Sequence, residues 1–295
     1  MRRTLPLSLV QTSARSGGLD EFAADLEQRT RDAPDTDLFV YPELHLCGAA
    51  EQDESAAVAA TAEPLDGPRD RALAELAGDL GIWLAPGSTY ERGRDGNVHN
   101  TAAVYSPGGQ RVAEYRKIFP WRPHEKTTPG TRFAVFDMGD FGRVGLSICY
   151  DAWFPEHARH LAWMGAELVL NVVRTPTRDR PQEAVLAQAN AITNHVFVAS
   201  VNAAAPDGLG RSLLVDPEGT VLAEAPHDRE TALHANVDLA AATAVRARGT
   251  AGLNRVWHQF RPDDEPLPLP LYDGAITPNA WSADRANAPG TAGSS

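Results

Sequence analysis

The 295-residue chain sets 27 Lys+Arg against 39 Asp+Glu, a formal charge of −12, with no basic run able to neutralise a row of phosphates. Nucleic acid and anionic membrane surfaces are therefore poor partners. Its two cysteines, Cys47 and Cys149, cannot build a disulfide framework in a chain this long, which predicts a reducing, cytoplasmic setting and leaves a thiol available for chemistry.

The opening MRRTLPLSLVQTSA imitates a signal peptide, but its apolar stretch is short and Leu5, Leu7 and Leu9 alternate as in a strand over Leu5 to Val10. A helix follows over Asp20 to Arg31, with Phe22 and Leu26 one turn apart, then a buried strand over Leu38 to Tyr41. Arg69 to Leu80 reads as helix and Ile82 to Pro86 as strand. Pro107-Gly108-Gly109 supplies turn chemistry for a hairpin of Val98 to Ser106 with Gln110 to Lys117. After Phe133 to Phe136, the run Arg143 to Cys149 alternates Val144, Leu146 and Ile148 and stops at Cys149. Pro155 opens a helix reaching Gly165, and a second Pro-led helix spans Pro181 to Asn194. Strands are expected at Leu168 to Val173, Val196 to Asn202, Ser212 to Val215 and Thr220 to Ala223. No segment is long and apolar enough to span a bilayer.

So many strands interleaved with helices predict an α/β fold in which two sheets face each other with helices outside. No linker divides the interior, and residues 1–248 read as one domain. From Gly249 the chain becomes Pro-rich. Residues 249–285, with Arg255-Val256-Trp257 and Pro270-Leu271-Tyr272, carry enough large apolar side chains to pack on the domain or on a partner subunit, and 286–295 (ANAPGTAGSS) reads as a disordered tail.

Glu43, Lys117 and Cys149 each stand at the end of a strand, where α/β proteins place their ligands. Cys149 also precedes a helix N-terminus, whose dipole and unpaired N–H groups favour a thiolate. A thiol attacking an amide needs a base for its proton, a donor for the developing oxyanion and an acid for the leaving amine. Glu43 suits the base and acid; Lys117 and the backbone N–H of Tyr150 suit the oxyanion.

The segments Val40-Tyr41-Pro42-Glu43-Leu44, Tyr115-Arg116-Lys117-Ile118 and Ser147 to Glu156 (SICYDAWFPE), in that order, resemble the three signature blocks of the nitrilase superfamily of carbon-nitrogen hydrolases. The similarity continues through Gly165 to Asn171 and Arg211-Ser212 to Gly219, covering roughly the first 240 residues. It implies a four-layer α-β-β-α sandwich of two mixed sheets flanked by helices, a homodimer or higher homo-oligomer, and a Glu-Lys-Cys site needing no metal or organic cofactor. On that resemblance Glu43 is base, Lys117 oxyanion stabiliser and Cys149 nucleophile. Glu125, ahead of Pro129-Gly130, is the candidate for the second glutamate that many members carry. The motif around Trp153 is similar to the amidase and N-carbamoyl-amine hydrolase branch; a nitrilase or an acyltransferase would use the same triad.

Tyr150, Trp121, His124, Trp153 and Arg174 lie near strand ends and could line a pocket for a small-molecule substrate, Arg174 by clamping a carboxylate. His157 and His160 raise a Cys-His protease or a metal pair, yet residues three apart on a helix are commonly solvated and no third ligand has suitable spacing. Cys47 reads as a packed thiol. A silent scaffold on this fold is the alternative of another class, opposed by three intact reactive residues.

Overall fold

A computed structural model describes residues 4–14, 18–48, 54–269 and 274–276. The chain divides into two units, Met1–Val256 and Trp257–Ser295. In the second, the described residues include a turn in which the Arg261 N–H donates to Asp264 Oδ2 at 2.8 Å. The segment Pro270-Leu271-Tyr272 and the expected tail 286–295 lie outside the described residues.

The first unit contains two mixed sheets. Strands β1 (Thr4–Gln11), β2 (Leu38–Val40), β3 (Trp83–Ala85), β4 (Ser88–Arg92), β5 (Val98–Tyr105), β6 (Arg111–Arg116) and β13 (Thr231–Asp238) form the seven-stranded sheet in the order β13-β1-β2-β3-β5-β4, with β6 also paired to β5. Strands β7 (Val135–Met138), β8 (Gly142–Ile148), β9 (Leu168–Val173), β10 (Phe197–Asn202), β11 (Leu213–Val215) and β12 (Val221–Glu224) form the six-stranded sheet in reverse chain order. Parallel pairing at β1-β2-β3 and at β8-β9-β10 is flanked in both sheets by antiparallel strands.

The period-two pattern decides which side chains meet. Leu5, Leu7, Leu9, Leu38 and Val40 from one sheet and Val144, Leu146, Ile148, Leu170, Val172, Ala199 and Val201 from the other share one buried core between the sheets. The intervening Val10, Phe39 and Tyr41 face outward, where they pack with Phe22 and Leu26 of α1 (Gly18–Asp32) and Leu73 and Ala77 of α3 (Pro68–Leu80). Helices α4 (Pro155–Trp163) and α5 (Arg180–Asn194) take the corresponding place on the second sheet, against β8 and β10. This is the expected pair of mixed sheets flanked by helices. Each fully buried Leu contributes about 1.5–3 kcal/mol relative to exposure.

Several elements lack the pattern that would announce them. Helix α2 (Glu54–Thr61) buries none of its residues, and α6 (Ala240–Arg248) buries only Ala242. Strand β13, where no strand was expected, does alternate Leu233, Ala235 and Val237 into the inter-sheet core and pairs with β1 along its whole length. Among the described residues no helix is long and apolar enough to cross a membrane.

Candidate active site

The ends of β2, β6, β8 and β9 converge. Glu43 follows β2 by a short turn closed on the other sheet, where the Arg174 N–H donates to Glu43 Oε2 at 2.9 Å. That turn runs so close to Gly87, φ 83°, that a Cβ there would sit 1.8 Å from the Pro42 carbonyl oxygen; only glycine fits. Lys117 continues β6. Because Ala113 and Tyr115 point into the inter-sheet core, Lys117 two residues on points the same way.

Cys149 directly follows β8 with φ 47°, a left-handed conformation that interrupts the strand alternation and costs a non-glycine residue roughly 1–2 kcal/mol. Leu44, next to Glu43, is also left-handed at φ 54°. Two such positions flanking one cluster are the kind of strain that surrounding structure holds for a purpose.

The cluster is buried and charged. Lys117 is 2% exposed and Glu43 3%. Lys117 Nζ donates to Glu43 Oε1 at 3.0 Å and to Glu125 Oε1 at 2.9 Å, and lies 2.7 Å from Glu125 Oε2. Burial works against the ammonium, but Glu43, Cys149 and Glu125 together outweigh it and hold Lys117 well above the ordinary lysine range. Burial raises Glu125 too, yet the charge and hydrogen bonds of Lys117, with the Trp121 N–H on Oε2, bring it below the ordinary glutamate value.

The structure thus brings Glu43, Lys117, Glu125 and Cys149 together. Glu125 is carried on a loop pinned to the lysine strand: the Gly130 N–H donates to the Lys117 carbonyl at 2.8 Å, and a Cβ on Gly130 would sit 2.2 Å from the Arg116 carbonyl oxygen.

The expectation of a thiolate at Cys149 needs correcting. Burial first, then the neighbouring Glu43, push the thiol well above its ordinary value against the pull of Lys117, with Glu183 and Glu125 adding to the rise. A short 3-10 turn, Cys149–Trp153, separates Cys149 from α4, and the dipole effect falls off beyond a helix's first turn. Burial and the carboxylates around it thus oppose a thiolate at Cys149.

The remaining candidates sit around this cluster. Tyr150 and Trp153 belong to the 3-10 turn, with ring centroids 6.0 Å apart. The Trp121 ring lies 4.1 Å from that of the exposed His124. Arg174 contributes its backbone N–H to Glu43, while its guanidinium lies in the field of Glu54 and Tyr90. His160 is exposed, but His157 is not solvated as expected. It is 1% exposed, with Nε2 2.8 Å from Tyr115 Oη, and burial pushes it down to about 3. Among the described residues no group of His, Cys, Asp and Glu could hold a metal. Cys47 packs with Leu44 and Tyr90.

Sequence reading passed over three residues. Asn100 Nδ2 donates to Glu43 Oε1 at 2.8 Å and to Glu125 Oε1 at 3.3 Å; flanked by His99 and Thr101 in β5, it carried no local signal. Asp151 accepts from the Ile148 N–H, the Phe119 N–H and Tyr115 Oη at 2.7–2.9 Å. Thr175 lies 3.7 Å from Cys149 Sγ, and nothing in its local sequence marks it.

A family model described as carbon-nitrogen hydrolase matches residues 8–247. A formamidase of Pseudomonas syringae pv. syringae (strain B728a) is 33% identical over 199 residues, 66% of this chain and 57% of that protein. The chain thus spans little more than half that formamidase's length. An (R)-stereoselective amidase of Pseudomonas sp is 34% identical over 232 residues, covering 76% of this chain and 82% of the amidase. The crystal structure of Saccharomyces cerevisiae Nit3, a member of branch 10 of the nitrilase superfamily, matches with a TM-score of 0.74 and 26% identity, over 83% of this chain and 94% of that one. Two facing mixed sheets, a buried acid-lysine-thiol cluster at their strand ends and a family match over most of the chain lead to one assignment: this protein belongs to the carbon-nitrogen hydrolase family.

Proposed function

We propose that the chain hydrolyses the non-peptide carbon-nitrogen bond of a small linear amide or N-carbamoyl compound through a thioester on Cys149. The observation that carries this reading is the Lys117 ammonium, buried between two carboxylates at 2.7–3.0 Å and electrostatically coupled to the thiol. Glu43 takes the thiol proton as Sγ attacks the carbonyl carbon. Lys117, with the backbone N–H of Tyr150, stabilises the oxyanion of the tetrahedral intermediate. Collapse breaks the C–N bond, and the leaving amine or ammonia takes the proton back from Glu43. Water, deprotonated by Glu43, then hydrolyses the thioester, releasing the carboxylic acid and restoring the thiol. Glu125 holds Lys117 in place through both steps. Relatives described as a formamidase and a stereoselective amidase favour amides as the substrate class.

The test is ammonia release across a panel of formamide, aliphatic amides, N-carbamoyl amines and nitriles, with intact mass spectrometry of the trapped acyl group. Turnover of amides or carbamoyl compounds, abolished in Cys149→Ala, is expected. Full activity in that variant would refute the mechanism, and a nitrile-only profile would move the chain to the nitrilase reading.

A further inference from the structure

Behind Cys149, on the side of α5, runs a chain of buried polar groups that the proposed reaction does not use. Cys149 Sγ lies 3.7 Å from Thr175 Oγ1, which donates to Glu183 Oε1 at 2.9 Å. The other carboxylate oxygen of Glu183 accepts from Arg180 Nη1 at 3.0 Å, and Arg180 also donates to the Gly210 carbonyl, the Arg211 carbonyl and Ser200 Oγ at 2.9–3.1 Å. Thr175 is 3% exposed, Glu183 4% and Arg180 fully buried.

A threonine hydroxyl has one hydrogen and two lone pairs. The paired Glu183 carboxylate only accepts, so the Thr175 hydrogen is committed to it. In the contact with Sγ, Thr175 can then only accept, and the hydrogen must come from the thiol. We propose that Glu183, acting through Thr175, is a positioning residue for the nucleophile: it directs the Cys149 S–H toward Thr175 and holds the sulfur protonated until substrate arrives. The catalytic consequence rests on the thioester reading above.

The charged groups facing Cys149 are Glu43, Lys117, Glu125, Glu183 and Arg180; those facing Glu183 are Arg180, Asp179 and Cys149 itself. Glu183, paired with Arg180 at 3.0 Å, adds to the rise of the Cys149 thiol, so this carboxylate opposes a thiolate rather than inviting one. Glu183→Gln removes that opposition while Arg180 keeps its three other acceptors, and the freed Thr175 hydrogen can turn toward sulfur. Thr175→Val removes the acceptor, and Thr175→Ser keeps it.

The experiment combines two measurements on the full chain. A Raman difference spectrum, wild type minus Cys149→Ala, isolates the Cys149 S–H stretch from that of Cys47. A band at the frequency of a hydrogen-bonded thiol is expected at neutral pH, unchanged in Thr175→Ser and shifted to that of a free thiol in Thr175→Val. Alkylation of Cys149 by iodoacetamide across pH is expected to show a midpoint about one unit lower in Glu183→Gln, a rate about tenfold higher at fixed pH below it. No S–H band at neutral pH, an unmoved band in Thr175→Val, or an unchanged or higher midpoint in a folded Glu183→Gln would overturn the proposal. If Glu183→Gln does not fold, the spectra of the threonine variants decide alone. An inactive Cys149→Ala with an unmoved band sinks this inference only; a fully active Cys149→Ala sinks the thioester reading whatever the spectrum shows.

Discussion

Tyr115 and Asp151 join the lysine strand to the nucleophile turn: Tyr115 Oη donates to Asp151 Oδ2 at 2.7 Å, two residues before Lys117 and two after Cys149. The same phenol oxygen accepts from the Ile118 N–H at 3.1 Å and contacts His157 Nε2 at 2.8 Å. With the phenol hydrogen committed to Asp151, the histidine donates from Nε2, which sets its tautomer.

Tyr115→Phe leaves Asp151 one donor short and strands the Ile118 N–H and His157 Nε2. A loss of about 1–3 kcal/mol follows, read as a melting temperature a few degrees lower. Because Lys117 and Cys149 are then held less rigidly against each other, kcat/KM for ammonia release should fall about tenfold or more. An unchanged melting curve would show that the phenol does not tie the two elements together.

His157 and Asp151 make opposite contributions to stability against pH. The folded state depresses His157 to about 3 from an ordinary 6.5, so its contribution is complete above pH 6.5 and is lost as pH falls toward 3. Burial raises Asp151 from 3.8 to about 6 despite Lys117 and its hydrogen bonds, so its contribution is complete below pH 3.8 and is lost as pH rises through 6. Between pH 4 and 6 the two oppose each other in the wild type, so relative to it urea midpoints should rise toward acid in His157→Gln and fall toward acid in Asp151→Asn. Parallel curves for all three proteins would refute the assignment.

Asn100 bridges Glu43 and Glu125 by donating to both. Asn100→Asp would put a third carboxylate beside them and force one to take a proton. The expected loss of kcat/KM is about 10²–10³-fold, within the range of general acid-base catalysis, whereas Asn100→Ala should lose about tenfold. Equal losses in the two variants would show that the charge is irrelevant.

Removing the Glu125 charge withdraws one of the groups that raise Lys117. Glu125→Gln should move the alkaline limb of the kcat/KM profile to lower pH, because a lysine with less negative charge around it deprotonates sooner. The rate at neutral pH should fall by about 10², less than for Glu43→Gln. An alkaline limb that stays in place would leave Glu125 without influence on Lys117.

The strand ends bearing Glu43, Lys117 and Cys149 were legible in the chain itself, since buried strands announce themselves through local alternation, as at Val144, Leu146 and Ile148. So was the pair of helix-flanked sheets. Strand β13 was legible too, though no strand was expected there, since Leu233, Ala235 and Val237 alternate into the core; what depends on contacts between distant elements was invisible. That holds for Asn100, which meets a glutamate 57 positions away, for His157, buried against Tyr115 rather than solvated, and for Thr175, placed behind the sulfur by the turn after β9. The charge state of Cys149 was also decided in three dimensions. A helix terminus read from sequence favours a thiolate, but burial and three carboxylates gathered from separate elements favour the thiol. Periodicity is a local property and survives in one dimension; electrostatics sums over neighbours, and only the fold determines who they are.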